Sequence, residues 1–324
     1  MDSIDTSFGT VTGIEHRSTY ANGALKSCRL TAENRLQTPL GELVPLHRMA
    51  EIGERQKKDR RSLGFFESGR IKSVALDRAM PVQTPLGVLQ AEAVSFYEDG
   101  ALNRLFPLNG QIDGYWSERH EAALAMPIDF DLPVGTFRAK VISLNFYPGG
   151  ALKSLTLWPS ERITIESPFG PIRLRKGFSL YEDGSVRSLE PAKVEEIATP
   201  LGPIKAFDAE MVGMNADQNS IQFTPDGKLS SVKTTHTGLR VTPANGTEYT
   251  IEPFETISRI DDEGTRTVPT QIDFGEGTLK IVAQHTHLLD LTQCTVATFA
   301  RERVLRESCS SCSGCEGGEG CCQG

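Results

Sequence analysis

The sequence predicts an all-β protein: an elongated antiparallel meander of repeated β-hairpins with a disordered Cys-rich C-terminal tail. Three observations predict it. A turn of the form aromatic-x-x-Gly recurs along most of the chain, a second turn centred on Pro and Gly follows it at a regular interval, and the last residues change abruptly in composition.

The first turn is clearest in Tyr181-Glu-Asp-Gly184 and recurs as Tyr20-Ala-Asn-Gly23, Phe66-Glu-Ser-Gly69, Tyr97-Glu-Asp-Gly100, Tyr147-Pro-Gly-Gly150 and, more loosely, Thr224-Pro-Asp-Gly227. Polar residues turn the chain, and Gly takes the positive φ that a type I turn followed by a G1 bulge requires. An aliphatic residue stands two positions after each glycine (Leu25, Ile71, Leu102, Leu152, Val186, Leu229). Serine stands at the fourth position in every copy (Ser27, Ser73, Ser154, Ser188, Ser231) except where Arg104 replaces it. The apolar positions do not alternate strictly past the turn. A β-bulge between the second and fifth positions restores one buried face, and the small serine is the expected occupant of that bulge.

The second turn, about 18 residues after the first glycine, is Thr38-Pro-Leu-Gly41, Thr84-Pro-Leu-Gly87, Ser167-Pro-Phe-Gly170 and Thr199-Pro-Leu-Gly202, with Leu132-Pro-Val-Gly135 as a further copy and Asp113-Gly114 a degenerate one. A module of roughly 31 to 34 residues with two hairpins and four short strands results. Such modules build either a single long twisted sheet rolled upon itself or a stack of hairpin blades, a closed propeller being the main competitor.

Two insertions interrupt the pattern. Residues Leu46 to Leu63 carry Arg55, Lys57, Lys58, Arg60 and Arg61, which reads as an anion-binding or partner-docking loop, or as a solvated strand extension or short helix. Residues His120 to Asp131 contain enough helix formers for a single helical turn. After Gly227 the pattern fades. Asp261-Asp-Glu-Gly264 and Phe274-Gly-Glu-Gly277 are worn turns, and Thr278 to Phe299 supplies closing strands that cover the last open edge. Residues 1–300 thus form a β-hairpin repeat domain, and 301–324 a charged linker and Cys-rich tail that cannot build a core.

The units Phe96-Tyr-Glu-Asp-Gly-Ala-Leu102 and Tyr181-Glu-Asp-Gly-Ser-Val-Arg-Ser-Leu189 resemble MORN-like repeats, in particular the variant repeats of bacterial YwqK-type proteins. That resemblance implies β-hairpin arrays that mediate binding rather than catalysis. It covers only the aromatic residue, the turn glycine and the aliphatic residue after it. The Trp-centred and later glycine positions of a standard MORN unit are missing, and the Thr-Pro-Leu-Gly turn is extra.

Chemistry concentrates in the tail, where Cys309, Cys312 and Cys315 form two overlapping C-x-x-C steps and Cys321 and Cys322 follow. Neighbouring thiolates at that spacing turn back on one soft ion, zinc or copper, with four ligands. An iron–sulfur cluster is the sharper alternative, since the first three cysteines have ferredoxin-like spacing; the step to Cys321 is too long, and no proline follows. A redox-active or merely unstructured tail is the remaining reading. His285 and His287, with Asp290 and Cys294 nearby, form a second candidate metal set, against the simpler reading of polar residues on an edge strand. Trp116, Trp158 and the turn tyrosines either line a ligand groove or form the packing ladder of the sheet.

The sequence carries no Gly-x-Ser-x-Gly elbow, no phosphate-cradling glycine loop and no His-Glu-x-x-His, so an enzyme is not expected. The formal charge of -8 argues against nucleic acid and anionic lipid as partners. With no apolar stretch of membrane length and no leader-like N-terminus, the expectation is a soluble, cytoplasmic protein with a protein partner and a thiolate-bound metal. A plain interaction scaffold and a carbohydrate-binding or carbohydrate-active β-repeat protein are the alternatives.

Overall fold

The computed structural model describes residues 3–208, 219–257 and 265–301. These residues are almost entirely β, with one helix among them, Glu118–Leu124. A single 16-stranded antiparallel sheet runs through them, and its strands follow one another in chain order: Ile14–Thr19, Leu25–Leu30, Leu63–Phe65, Ile71–Thr84, Gly87–Phe96, Leu102–Phe106, Val141–Phe146, Leu152–Leu157, Gly170–Leu180, Val186–Pro191, Ile221–Phe223, Leu229–Thr234, Thr270–Phe274, Thr278–Val282 and Thr286–Asp290, with Ile163–Ser167 added beside Gly170–Leu180. Among the described residues the meander is one continuous sheet with two open edges, not a ring of separate blades. No helix among the described residues is long and apolar enough to cross a membrane.

The turns explain this regularity. At Tyr181 the amide N–H donates to Ser185 O (2.8 Å) and Gly184 N–H to Tyr181 O (3.0 Å), with Gly184 at φ +86°. The same pair of bonds closes the turns at Tyr20, Phe66, Tyr97, Tyr147 and Thr224. The register then slips by one residue, as the type I turn and bulge require. The extra residue lies at the third position after each glycine: Lys26, Lys72, Asn103, Lys153, Arg187 and Ser230 are skipped in the ladders. Serine is therefore not the bulge occupant. It comes next and pairs in register, while the bulge lets Lys26, Lys72, Lys153 and Arg187 lie over the rings of Tyr20, Phe66, Tyr147 and Tyr181.

Because every copy keeps this register, like residues line up across the sheet. One row runs Cys28, Leu63, Val74, Val94, Leu105, Leu144, Leu155, Phe178, Leu189, Ile221, Val232, Ile272, Ile281. Each of these side chains is at most 2 % exposed. At about 1.5 to 3 kcal/mol for each large aliphatic or aromatic side chain buried, this row is the backbone of the core. The adjacent row, on the opposite face, is polar: Ser18, Ser27, Gly64, Ser73, Ser95, Arg104, Asn145, Ser154, Ser179, Ser188, Gln222, Ser231, Asp273. The serine at the fourth position of each repeat is thus one tile of a polar stripe.

The Pro-Gly turns build a second layer. Pro at the first loop position forbids positive φ there, so the left-handed conformation falls on the following glycine, as at Gly41 (φ +106°) and Gly87 (φ +99°). The threonine hydroxyl closes each turn, Thr38 Oγ1 donating to Gly41 O (2.8 Å) and accepting from Leu40 N–H (3.1 Å), with the same pair of bonds at Thr84, Ser167 and Thr199. Thr6 closes a first copy in the same way, which the sequence hid because serine replaces the proline. Leu36, Leu43, Val82, Phe130, Val134, Ile165, Ile197 and Ile204 of these hairpins join the core row in one apolar cluster. Turn prolines also pack onto turn glycines of the main sheet: Pro85 against Gly150, Pro133 against Gly184 and Pro168 against Gly227.

Tyrosine hydroxyls tie successive units together. Tyr20 donates to Phe65 O (2.7 Å), Tyr97 to Phe146 O (2.8 Å), Tyr147 to Leu180 O (3.0 Å) and Tyr181 to Phe223 O (2.7 Å). Each acceptor is the residue just before the next turn. Of the late turns, Phe274 to Gly277 joins two paired strands with Gly277 at φ +63°; Asp261 to Gly264 lies outside the described residues.

Candidate functional site

Besides the turn bulges, the register of the sheet shifts at several places, such as Leu174 to Phe178, and the widest break among the described residues lies in Ile71–Thr84. In Ile71–Thr84 the pairing jumps from Ala75 opposite Ala93 to Met80 opposite Ala91, so Glu92 faces an irregular stretch rather than a ladder partner. Into this gap comes the basic insertion. Arg55 forks between two carboxylates: Nη1 and Nη2 donate to Glu92 Oε1 and Oε2 (2.9 and 2.8 Å), Nε and Nη2 to Glu121 Oε2 and Oε1 (2.7 and 2.5 Å). Lys57 Nζ stands 3.1 Å from Glu92 Oε2. The remaining lone pairs are also used. Asn109 N–H donates to Glu92 (2.7 Å), and Gly110 N–H (2.9 Å) and Trp116 Nε1–H (2.7 Å) donate to Glu121.

Both carboxylates are buried, Glu121 most deeply at 4 % exposure, and Arg55 and Lys57 are half-buried against them. Burial pushes both carboxyls upward, but the Arg55 hydrogen bonds, joined by Lys57 and Asn109 at Glu92 and by Trp116 and Gly110 at Glu121, outweigh it and hold them below the usual range. Two cations against two anions leave the clasp neutral. Glu121 sits on the helix Glu118–Leu124, started by a Ser117–His120 capping box, and the helix is short enough to depend on this anchor. A β-carbon at Gly110 would lie 2.2 Å from Glu121 Oε2, so only glycine lets the loop close on the carboxylate. Backbone bonds complete the closure, Lys58 N–H to Asn109 O (2.7 Å) and Gln111 N–H to Gln56 O (2.8 Å).

The basic run is therefore not a strand extension or a helix, and only part of it is solvated, Lys58, Arg60 and Arg61 being exposed. Arg55 and Lys57 are consumed internally, and Arg61 is held by Asp59. A smaller clasp precedes it, where the buried Asp77 carboxylate takes Arg48 and the backbone N–H groups of His47 and Arg48.

What the main clasp holds in place is a cleft of about 570 Å³. Its floor is the polar face of the sheet at Ser73, Ala75, Ala93 and Ser95. Leu108 to Ile112 and the helix form one wall, Ile142 and Trp158 another, and Lys58, Arg61 and Glu118 also line it. This is the size of a small-molecule site, with mostly apolar walls and few polar groups.

The sequence-derived candidates fall differently. Cys309, Cys312, Cys315, Cys321 and Cys322 lie outside the described residues. His285 precedes the edge strand rather than lying in it. His287 ends the apolar row opposite Ile281 and stacks near Tyr249 (6.2 Å between ring centres). Asp290 accepts from Thr292, and Cys294 Sγ–H points to Asp290 O (3.2 Å). Among the described residues no group of three or more His, Cys, Asp or Glu is placed to hold a metal ion. Cys28 is fully buried, and burial raises its thiol to about 11, so it stays protonated. Trp158 lines the cleft, Trp116 is bound to Glu121, and the turn tyrosines serve the sheet.

Sequence reasoning missed Glu92 and Glu121, single carboxylates about thirty residues apart in unrelated contexts. The one signal was excess positive charge in the insertion, which needed buried partners somewhere. Comparison with protein-family models, with curated proteins and with solved structures gives no match to this chain.

Proposed function

We propose that this protein is a non-catalytic binding scaffold, with the cleft as the binding point of its β-repeat body and the C-terminal cysteines as a separate thiolate site for a soft metal ion or cluster. The cleft carries this reading: its walls are fixed before any ligand arrives by a buried, fully hydrogen-bonded ion clasp, so little ordering cost remains for binding. The clasp carboxylates are saturated by donors and lie below their usual pKa range, which suits positioning rather than proton transfer.

Cys309, Cys312, Cys315, Cys321 and Cys322 are the proposed metal ligands, zinc or copper for four thiolates and an iron–sulfur cluster as the alternative. A protein partner is proposed for the sheet edge Thr286–Asp290, which among the described residues pairs on one side only and where Leu288 is 79 % exposed. The MORN-like resemblance of the Phe96 to Leu102 and Tyr181 to Leu189 units supports such a docking role, in the cytoplasm.

Native mass spectrometry with elemental analysis, on full-length chain purified anaerobically, tests the reading. The expected result is a mass above that of the bare chain, with a metal component lost when the five tail cysteines become serine and a second component, seated in the cleft, lost in Ala93→Phe. Bare-chain mass in all three preparations would refute both sites.

A further inference from the structure

The polar row contains four pairs of serines directly opposite each other: Ser18 with Ser27, Ser179 with Ser188, Ser73 with Ser95, and Ser154 with Ser179, the hydroxyls of this last pair being taken by Asn145 and Ser188. The first two pairs hydrogen-bond to each other at 2.6 Å. The third does not, and it is the pair on the floor of the cleft. Ser73 Oγ instead occupies the space over Gly64, 2.5 Å from where a β-carbon would stand, turned away from Ser95. Among the described residues, neither of these two hydroxyls has a hydrogen-bond partner, and neither has the indole N–H of Trp158, a side chain only 7 % exposed that lines the same cleft. Ser73 and Ser95 are half-buried and line the cleft, so these three donors stand open to whatever enters it, and a molecule that displaces their water must supply the acceptors.

The rest of the lining defines that molecule. Ala75 and Ala93 leave the volume, and Phe106, Leu108, Ile142 and Trp158 offer apolar and aromatic contact. Charge is balanced: Glu121 is neutralised by Arg55 and Asp59 by Arg61, while Lys58 and Glu118 are of opposite sign. A charged ligand would find no net counter-charge here.

The geometry points to a neutral, mainly apolar, ring-bearing small molecule of about 20 heavy atoms, its carbonyl or ether oxygens taking hydrogen bonds from Ser73, Ser95 and Trp158. This rests on the reading of the cleft as a binding point.

The test uses the full chain and two dyes of similar shape: the neutral naphthyl ketone Prodan and the anionic anilinonaphthalene sulfonate. Prodan is expected to bind one per chain with Kd below about 50 µM, with blue-shifted emission and quenching of tryptophan fluorescence. Ala93→Phe, which fills the cleft, abolishes it. Ser73→Ala/Ser95→Ala removes hydroxyls that bond nothing in the protein, so the melting temperature stays unchanged while Prodan affinity falls about tenfold. Unaltered affinity in the double variant, or binding untouched by Ala93→Phe, overturns the proposal. Saturable binding of the anionic dye alone, lost in Ala93→Phe, refutes the neutral ligand class but leaves the cleft as a site. Binding of neither dye removes both.

Discussion

Replacing Arg55 by alanine deletes four hydrogen bonds and leaves two buried carboxylates facing each other. Removing one member of a buried ionic cluster costs about 3 to 5 kcal/mol, mostly the penalty of the charge left behind. Here Glu92 keeps Lys57 and Asn109 N–H, and Glu121 keeps Gly110 N–H and Trp116. The loss should therefore sit at the low end, about 3 kcal/mol, or a melting temperature lower by about 4 °C. The pH dependence is the sharper readout. In the native protein both carboxyls are held below their unfolded pKa, so their stabilisation is complete above about pH 4.5 and is lost as pH falls through the lower folded values. In Arg55→Ala burial dominates and the folded pKa values rise above the unfolded ones. The folded state then takes up protons first, and stability increases on acidification from pH 7 towards 5. Urea denaturation at pH 7, 6 and 5 on both proteins checks this. Equal stability at pH 7 with parallel pH profiles would refute the clasp.

Gly184→Ala forces a side chain into left-handed backbone and sets its β-carbon 2.9 Å from Pro133, whereas Gly87→Ala meets the backbone strain alone. Both should destabilise, Gly184→Ala by about 2 to 3 kcal/mol and Gly87→Ala by about 1 to 2; equal losses in urea titrations would deny the packing of proline on glycine. Tyr181→Phe removes the bond to Phe223 O and should cost about 1 kcal/mol without altering the circular dichroism spectrum. No loss at all would make the tyrosine ladder incidental.

The fold was legible because the repeat is a register device. Turn glycine, aliphatic residue at the second position and serine at the fourth recur in order, and in the structure these become a turn, a core contact and a tile of the polar stripe. The cations at Lys26, Lys72, Lys153 and Arg187 stand three residues after their glycines and were equally visible, yet their role depends on the bulge that turns them onto the ring. The cleft was not legible. It comes from an interruption of the repeat, where a register jump at Ala75 to Met80, an insertion and a short helix meet over large sequence separations. Nothing local in Glu92 or Glu121 distinguishes a buried partner from a solvated charge. His287 was misplaced for a related reason: alternation on an edge strand has two possible phases, and tertiary pairing with Ile281 put Leu288, not His287, outward.

The central claim is that the cleft is built in advance, its basic segment locked to the sheet. Amide hydrogen exchange across residues 55–62 tests it most directly, since Lys58 and Ser62 donate to Asn109 O and Cys28 O, and Asp59 N–H to Asn109 Oδ1. These amides should exchange as slowly as the neighbouring core strands in the native protein and become fast in Arg55→Ala. Exchange within seconds in the unaltered protein would contradict the account and return the segment to a solvated loop.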